Sequence, residues 1–253
     1  MEQKLKQRIY LEFCVKLQIS ATETLKCLIK HSPMTPQREQ LFLNDILDLK
    51  LAEFPLKMIL NGSGTENKII TGDETWVYGY DPETKRQSAE WRGQGEPRAK
   101  KSRILKSRNK VLLVAFLGNK GIVHHEYLPA GQTVIKEMYL GILRRLREAI
   151  KKKRPEKWTN GDWILHHDNV RPHTAHLVTS FLAKNGTQIL HQPPYSPDIA
   201  PNDFFLFPKN KAVLKRRHFD TRDDIKEKSL LALKSIPKEA FKNCFDNWEK
   251  RWR

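Results

Sequence analysis

From Lys68 onward the chain lays down strand-type runs first in succession and then in alternation with helices, an order that admits few folds. Residues 68–80, 86–91, 110–117 and 122–128 are rich in β-branched and aromatic side chains and bounded by turn formers, and Asn119-Lys120-Gly121 stands where a hairpin reverses. Helical periodicity follows over 134–153, with Pro155 beyond it as a stop. Trp163-Ile164-Leu165 then reads as a short buried strand, 174–184 as a helix, 187–191 as a strand, and 209–253 as two or three basic helices. Successive strands pair antiparallel, whereas strands joined through helices run parallel. The reading is an α/β fold, a mixed sheet flanked by helices.

Ahead of this, Leu5, Ile9, Phe13 and Leu17 recur every fourth residue, as on an amphipathic helix. Ser20-Ala21-Thr22-Glu23 has the form of a capping box opening a second helix to about residue 30. Pro33 and Pro36 interrupt the pattern, residues 37–54 are helical again, and Asn61-Gly62-Ser63-Gly64 is a loop. Two helices stand where a helix-turn-helix unit needs a third. The organisation expected is a short helical segment over 1–30, a connector over 31–67 and the α/β domain over 68–253.

A chain of 253 residues buries one substantial core with room for a small appendage. Its 46 Lys and Arg against 29 Asp and Glu give a net charge of +17, a surplus that calls for a polyanionic partner, nucleic acid ahead of a membrane surface. No apolar run approaches the roughly 20 residues that span a bilayer, and Met1-Glu2-Gln3-Lys4 opens no signal peptide, so the expectation is an intracellular protein without a membrane partner. Cys14, Cys27 and Cys244 are odd in number and far apart, which suits core residues better than disulfides or zinc ligands.

Three carboxylates draw attention. Asp73 follows Ile69-Ile70 and Asp168 follows Ile164-Leu165, so two neighbouring strands place them side by side; Asp203 comes from the loop or helix after the prolines. The 34 residues between Asp168 and Asp203, numbers 169–202, suffice for one helix, one strand and a return. Hard divalent cations take oxygen ligands of this kind while keeping positions open for water and phosphate. Singly, each aspartate reads better as a turn residue, as does Asp198 between its prolines; taken together beside unusual local sequence, the three give the two readings equal weight. The histidines at 124, 125, 166, 167, 173, 176 and 191 have no His-x-x-x-His helix or cysteine pair beside them to support zinc. Lys101, Arg103, Lys106, Arg108 and Lys110 form a basic run suited to phosphate, as are His167, Asn169 and His173 near Asp168; a second run covers Arg144, Arg145, Arg147 and residues 151–154. The tryptophans read as core.

The stretches Thr71-Gly72-Asp73-Glu74-Thr75-Trp76, His166-His167-Asp168-Asn169 and Tyr195-Ser196-Pro197-Asp198-Ile199-Ala200-Pro201-Asn202-Asp203-Phe204-Phe205 resemble the catalytic domain of mariner transposases, within the Tc1/mariner group. The 34-residue interval before the last aspartate is that family's hallmark. The resemblance runs from about Lys68 to Trp252. It implies an RNase H-like fold, with Asp73, Asp168 and Asp203 as catalytic metal ligands for a pair of Mg²⁺ or Mn²⁺ ions. It further implies DNA cleavage and strand transfer at terminal inverted repeats, insertion at TA dinucleotides, pairing of two subunits and a nuclear location; residues 151–154 and Lys215-Arg216-Arg217 are candidate import signals.

The chain departs from the pattern ahead of the catalytic part. Residues 4–30 resemble the first two helices of one helix-turn-helix unit, while its recognition helix, a second unit and most of the linker are missing. Recognition helices read bases, whereas phosphate contacts give affinity without sequence, so impaired end recognition and weakened subunit pairing are expected. Val170 and Asn210 replace an expected Ala and an expected apolar residue. Two other functions remain open: a sequence-indifferent nucleic-acid-binding protein without catalysis, and an inert relic.

Overall fold

The computed structural model describes residues 67–81, 107–161, 163–193, 196–215 and 217–252, without the side chains of 249 and 252. The expected helices over 1–30 and 37–54, the strand over 86–91 and the connector up to residue 66 lie outside them.

A five-stranded sheet forms the centre. Its strands are β1 (Ile69–Tyr78), β2 (Lys110–Gly118), β3 (Gly121–Tyr127), β4 (Ile164–His167) and β5 (Gln188–His191), in the spatial order β3-β2-β1-β4-β5. The first three pair antiparallel; β4 joins β1, and β5 joins β4, in parallel. The hairpin between β2 and β3 turns at Asn119-Lys120, with Gly121 at φ +113°, a conformation that favours glycine. The mixed sheet flanked by helices is the arrangement expected from the order of the runs.

Helices cover both faces. On one side α1 (Lys136–Lys153) sets Tyr139, Ile142, Leu143, Leu146 and Ile150 along a helical stripe against Ile70, Leu112, Val114 and Phe116, with Val178 and Leu182 of α4 (His176–Lys184) beside them. A short α2 (Pro155–Thr159) follows α1, and a single turn, α3 (Arg171–Thr174), precedes α4. On the other side α5 (Phe207–Leu214), α6 (Arg222–Lys234) and α7 (Lys238–Trp252) bring Phe207, Leu214, Ile225, Phe245 and Trp248 onto Ile69, Val77, Leu113, Ala115 and Leu117. Alternate residues of β2 thus enter opposite cores, and the strand is buried on both faces. Thr221 and Asp224 form a reciprocal capping box at the start of α6. No helix among the described residues is long and apolar enough to cross a membrane.

Three expectations need adjustment. The helix predicted over 174–184 breaks at Ala175, which is extended, and Pro172 opens a separate turn ahead of it. Asp73 lies inside β1, which runs five residues past it, and not at a strand end; only Asp168 is delivered at one. Asn210 is fully buried yet satisfied: its amide donates to the Ser229 carbonyl at 2.8 Å and accepts from the Ser229 hydroxyl at 3.0 Å, and Tyr127 donates to that hydroxyl at 2.9 Å. The asparagine ties α5 to α6 and, through Ser229, to β3, a packing role in place of the apolar one expected. Cys244, Trp163 and Trp248 are buried as predicted.

Candidate active site

Strand register brings two of the aspartates together. Thr71 of β1 pairs with His166 of β4, and two residues further along both strands stand Asp73 and Asp168. Gly72 lets β2 approach, because a Cβ there would lie 2.2 Å from the buried Phe116 ring. The third carboxylate arrives from the far core. Pro201 leads into one turn of π-helix, Asn202–Leu206, and fully buried Asn202 donates its amide to the carbonyl of Ala115 at 3.1 Å. Ala115 is the β2 partner of Asp73, so this bond pins the turn carrying Asp203 against the strand pair that carries Asp73.

Electrostatics show how close the acids stand. Burial, then the charges of Asp203, Glu74 and Asp168, hold the Asp73 carboxyl well above the usual carboxylate range, against the amide of Glu74 donating to it at 2.7 Å. Asp203 is also pushed up by burial; its hydrogen bond with Asp73 and nearby Lys211 offset part of that rise. Like charges brought together in a buried site resist joint ionisation, which is why both carboxyls are held up.

Asp168 is held differently. Its Oδ1 meets His173 Nδ1 at 2.6 Å, while His173 Nε2 meets Glu74 Oε1 at 3.1 Å. Burial alone would lower the His173 pKa, but its hydrogen bonds to Asp168 and Glu74 prevail and raise it to about 9. Tyr139 lies against the His173 ring with centroids 3.8 Å apart and shares a hydrogen bond of 2.8 Å with His167 Nδ1, and His167 stacks on His173. Burial, with the neighbouring histidines, lowers the His167 pKa. His166, paired with Thr71 Oγ1 at 2.8 Å, is driven by burial to about 3.

The expected phosphate contacts divide. His167 and His173 are buried, at 4% and 1% exposure, and face protein partners, so burial takes from them the surface a DNA phosphate would need. Asn169 is half-buried and donates to the Gln192 carbonyl. Arg108 is exposed, and Lys110 places its ammonium 3.9 Å from the centre of the Trp76 ring. Lys101, Arg103 and Lys106 lie outside the described residues. Glu74 and Tyr139 went unmarked in the sequence; Glu74 follows Asp73 directly, and that adjacency was the one available signal.

The donor set suits a hard cation: oxygens from three carboxylates, two of them carrying strain from mutual repulsion that a divalent ion would relieve. Among the described residues no three acidic, histidine or cysteine side chains have the spacing of a preformed metal cage.

Comparison with known proteins agrees with this picture. The family described as Transposase (partial DDE domain) matches residues 81–160, a span that contains none of the three aspartates. The mariner Mos1 transposase of Drosophila mauritiana is 30% identical over 162 residues, 64% of this chain and 46% of that protein. Human histone-lysine N-methyltransferase SETMAR is 26% identical over 187 residues, 74% of this chain and 27% of that protein. The chain thus spans less than half the length of either relative. The Mos1 mariner paired-end complex with Mn superposes with a TM-score of 0.73 at 22% identity, covering 96% of this chain and 72% of that one. Sequence and fold together make the described part of the chain similar to the catalytic domain of the mariner Mos1 transposase, whose structure superposes with a TM-score of 0.65 at 24% identity.

Proposed function

We propose that this chain is a metal-dependent DNA-cleaving and strand-joining enzyme of the mariner type. The observation that carries the reading is the convergence of Asp73, Asp168 and Asp203 from β1, the end of β4 and the turn before α5, close enough for their charges to act on one another. These three residues would hold Mg²⁺ or Mn²⁺. When bound, such ions activate a water or a DNA 3′-hydroxyl for attack on phosphorus and stabilise the leaving oxygen. The protein's own part is placement. His173 fixes the orientation of Asp168, Asn202 fixes the turn that carries Asp203, and the aromatic packing of Tyr139 and His167 around His173 keeps water from that side. Transposon inverted repeats and TA sites as substrates, a paired-subunit assembly and a nuclear location belong to the same proposal. So does impaired recognition of the ends, the expectation drawn from the resemblance of residues 4–30 to part of one recognition unit.

The test is nicking of supercoiled plasmid with Mn²⁺ and with Mg²⁺, comparing the chain with Asp73→Ala, Asp168→Ala and Asp203→Ala. Nicking that requires the metal and falls by at least about 100-fold in each variant is expected. Equal nicking by the variants, or none by any preparation, transfers the function to the second reading, a sequence-indifferent DNA-binding protein, which the net charge of +17 favours.

A further inference from the structure

We propose that the groove between the turn bearing Phe204 and Phe205 and the helix α7 binds an unpaired DNA strand. The groove encloses about 690 Å³, a size at which pockets take small ligands. Phe204 and Phe205 are half-buried in one wall. The Arg251 guanidinium sits 4.2 Å from the centre of the Phe204 ring, and the Lys209 ammonium 5.2 Å from that of Phe205. Lys250 adds a third exposed cation, and Asn243 and Asn247 add amides. Among the described residues that line it, none is acidic.

Three cations without a lining carboxylate select an anion. The flat groups beneath two of them select an anion that carries an aromatic ring. A guanidinium lying on a phenyl ring offers its outer face for further stacking, so a base would extend the Phe204–Arg251 pile while its phosphates meet Lys209 and Lys250. Duplex DNA does not match this arrangement, since its bases are stacked inside and its phosphates alone would reach the rim. An unpaired strand presents both. The turn that supplies the two rings also carries Asp203, next in sequence to Phe204. The groove is thus suited to a strand that has been unpaired from its duplex.

This inference rests on DNA being the substrate, and the experiment separates the two. Fluorescence anisotropy would compare a labelled 12-nucleotide single strand with a labelled 20-base-pair duplex of unrelated sequence, at one fixed salt concentration. In Lys209→Glu/Lys250→Glu the single strand is expected to lose about tenfold in affinity and the duplex less than about threefold. Arg251→Lys keeps the charge and removes the planar face, so it is expected to weaken the single strand by about fivefold with little change for the duplex. The substituted side chains are exposed, and an unchanged melting temperature confirms that the variants fold. Parallel losses for the two DNA forms, or no loss for the single strand, overturn the groove. If the unaltered chain binds duplex and nicks plasmid but ignores the single strand, the groove falls and the enzyme reading stands; if it binds neither form, both fall.

Discussion

At His173 one imidazole serves two carboxylates from different strands. Its 1% exposure, its bonds of 2.6 Å to Asp168 and 3.1 Å to Glu74, and the Tyr139 ring against it leave the side chain a single orientation. Replacing it by alanine strands Glu74 without its bond and lets Asp168 swing. The expected loss of stability in denaturant unfolding is about 2–4 kcal/mol, toward the low end for a broken buried pair because Asp168 remains about a third exposed. His173→Gln keeps a donor on the same side and is expected to recover part of the stability and part of the metal-dependent nicking. Equal behaviour of the alanine and glutamine variants would mean that His173 only fills space. None of this was visible from spacing. His173 and Glu74 are 99 residues apart, and their meeting depends on a helix break at Ala175 that periodicity runs straight through. The aspartates were legible because each stands in a short run of unusual composition, whereas the groups that orient them are ordinary residues made special by their neighbours in space.

Elements were read better than their limits. Runs of β-branched, aromatic and other apolar residues bounded by turn formers located β1, β2, β3 and β5 to within two residues, since strands that enter a core must carry such side chains. That pattern is silent on which residue of a strand points to which core. The run over residues 68–80 already contains Asp73, and β1 continues past it to Tyr78 on the strength of its pairing with β2. Gly72 is the element-scale cause of the site's geometry: β1 and β2 pack at a glycine because the Phe116 ring occupies the space where a side chain would stand. Gly72→Ala is expected to cost about 1–3 kcal/mol, the range for overpacking a filled core, by forcing Phe116 to move. Its backbone φ is not in the left-handed region, so strain plays no part and the cost is steric. The companion Phe116→Leu should restore most of the loss when combined with Gly72→Ala, measured as coupling in a double-mutant cycle. Additive losses would exclude the ring as the cause.

For the molecule as a whole, charge outweighs any single interaction. With 46 basic residues against 29 acidic ones, and three of the acids gathered in the site, the remaining surface is strongly cationic. Phosphates that dock on it release condensed counterions, so affinity falls with salt in proportion to the number neutralised. Arg108 and Lys110 beside Trp76, and Lys209, Lys250 and Arg251 around the groove, lie on separate surfaces and supply five cations for this purpose among the described residues. For single-stranded DNA of arbitrary sequence, a plot of log affinity against log salt should therefore have a slope on the order of −3 to −4. Removing the basic side chains of one surface by alanine substitution should flatten that slope by about one for each cation removed, without changing which sequence is bound. A slope near zero would detach the charge from DNA altogether. A steep slope joined to strong preference for one sequence would mean that a base-reading element operates here, contrary to the expectation of impaired end recognition. Because binding by charge alone does not discriminate between sequences, the outcome also fixes where specificity must come from: from the candidate active site, through the strand it accepts, and not from the surface that first attracts the DNA.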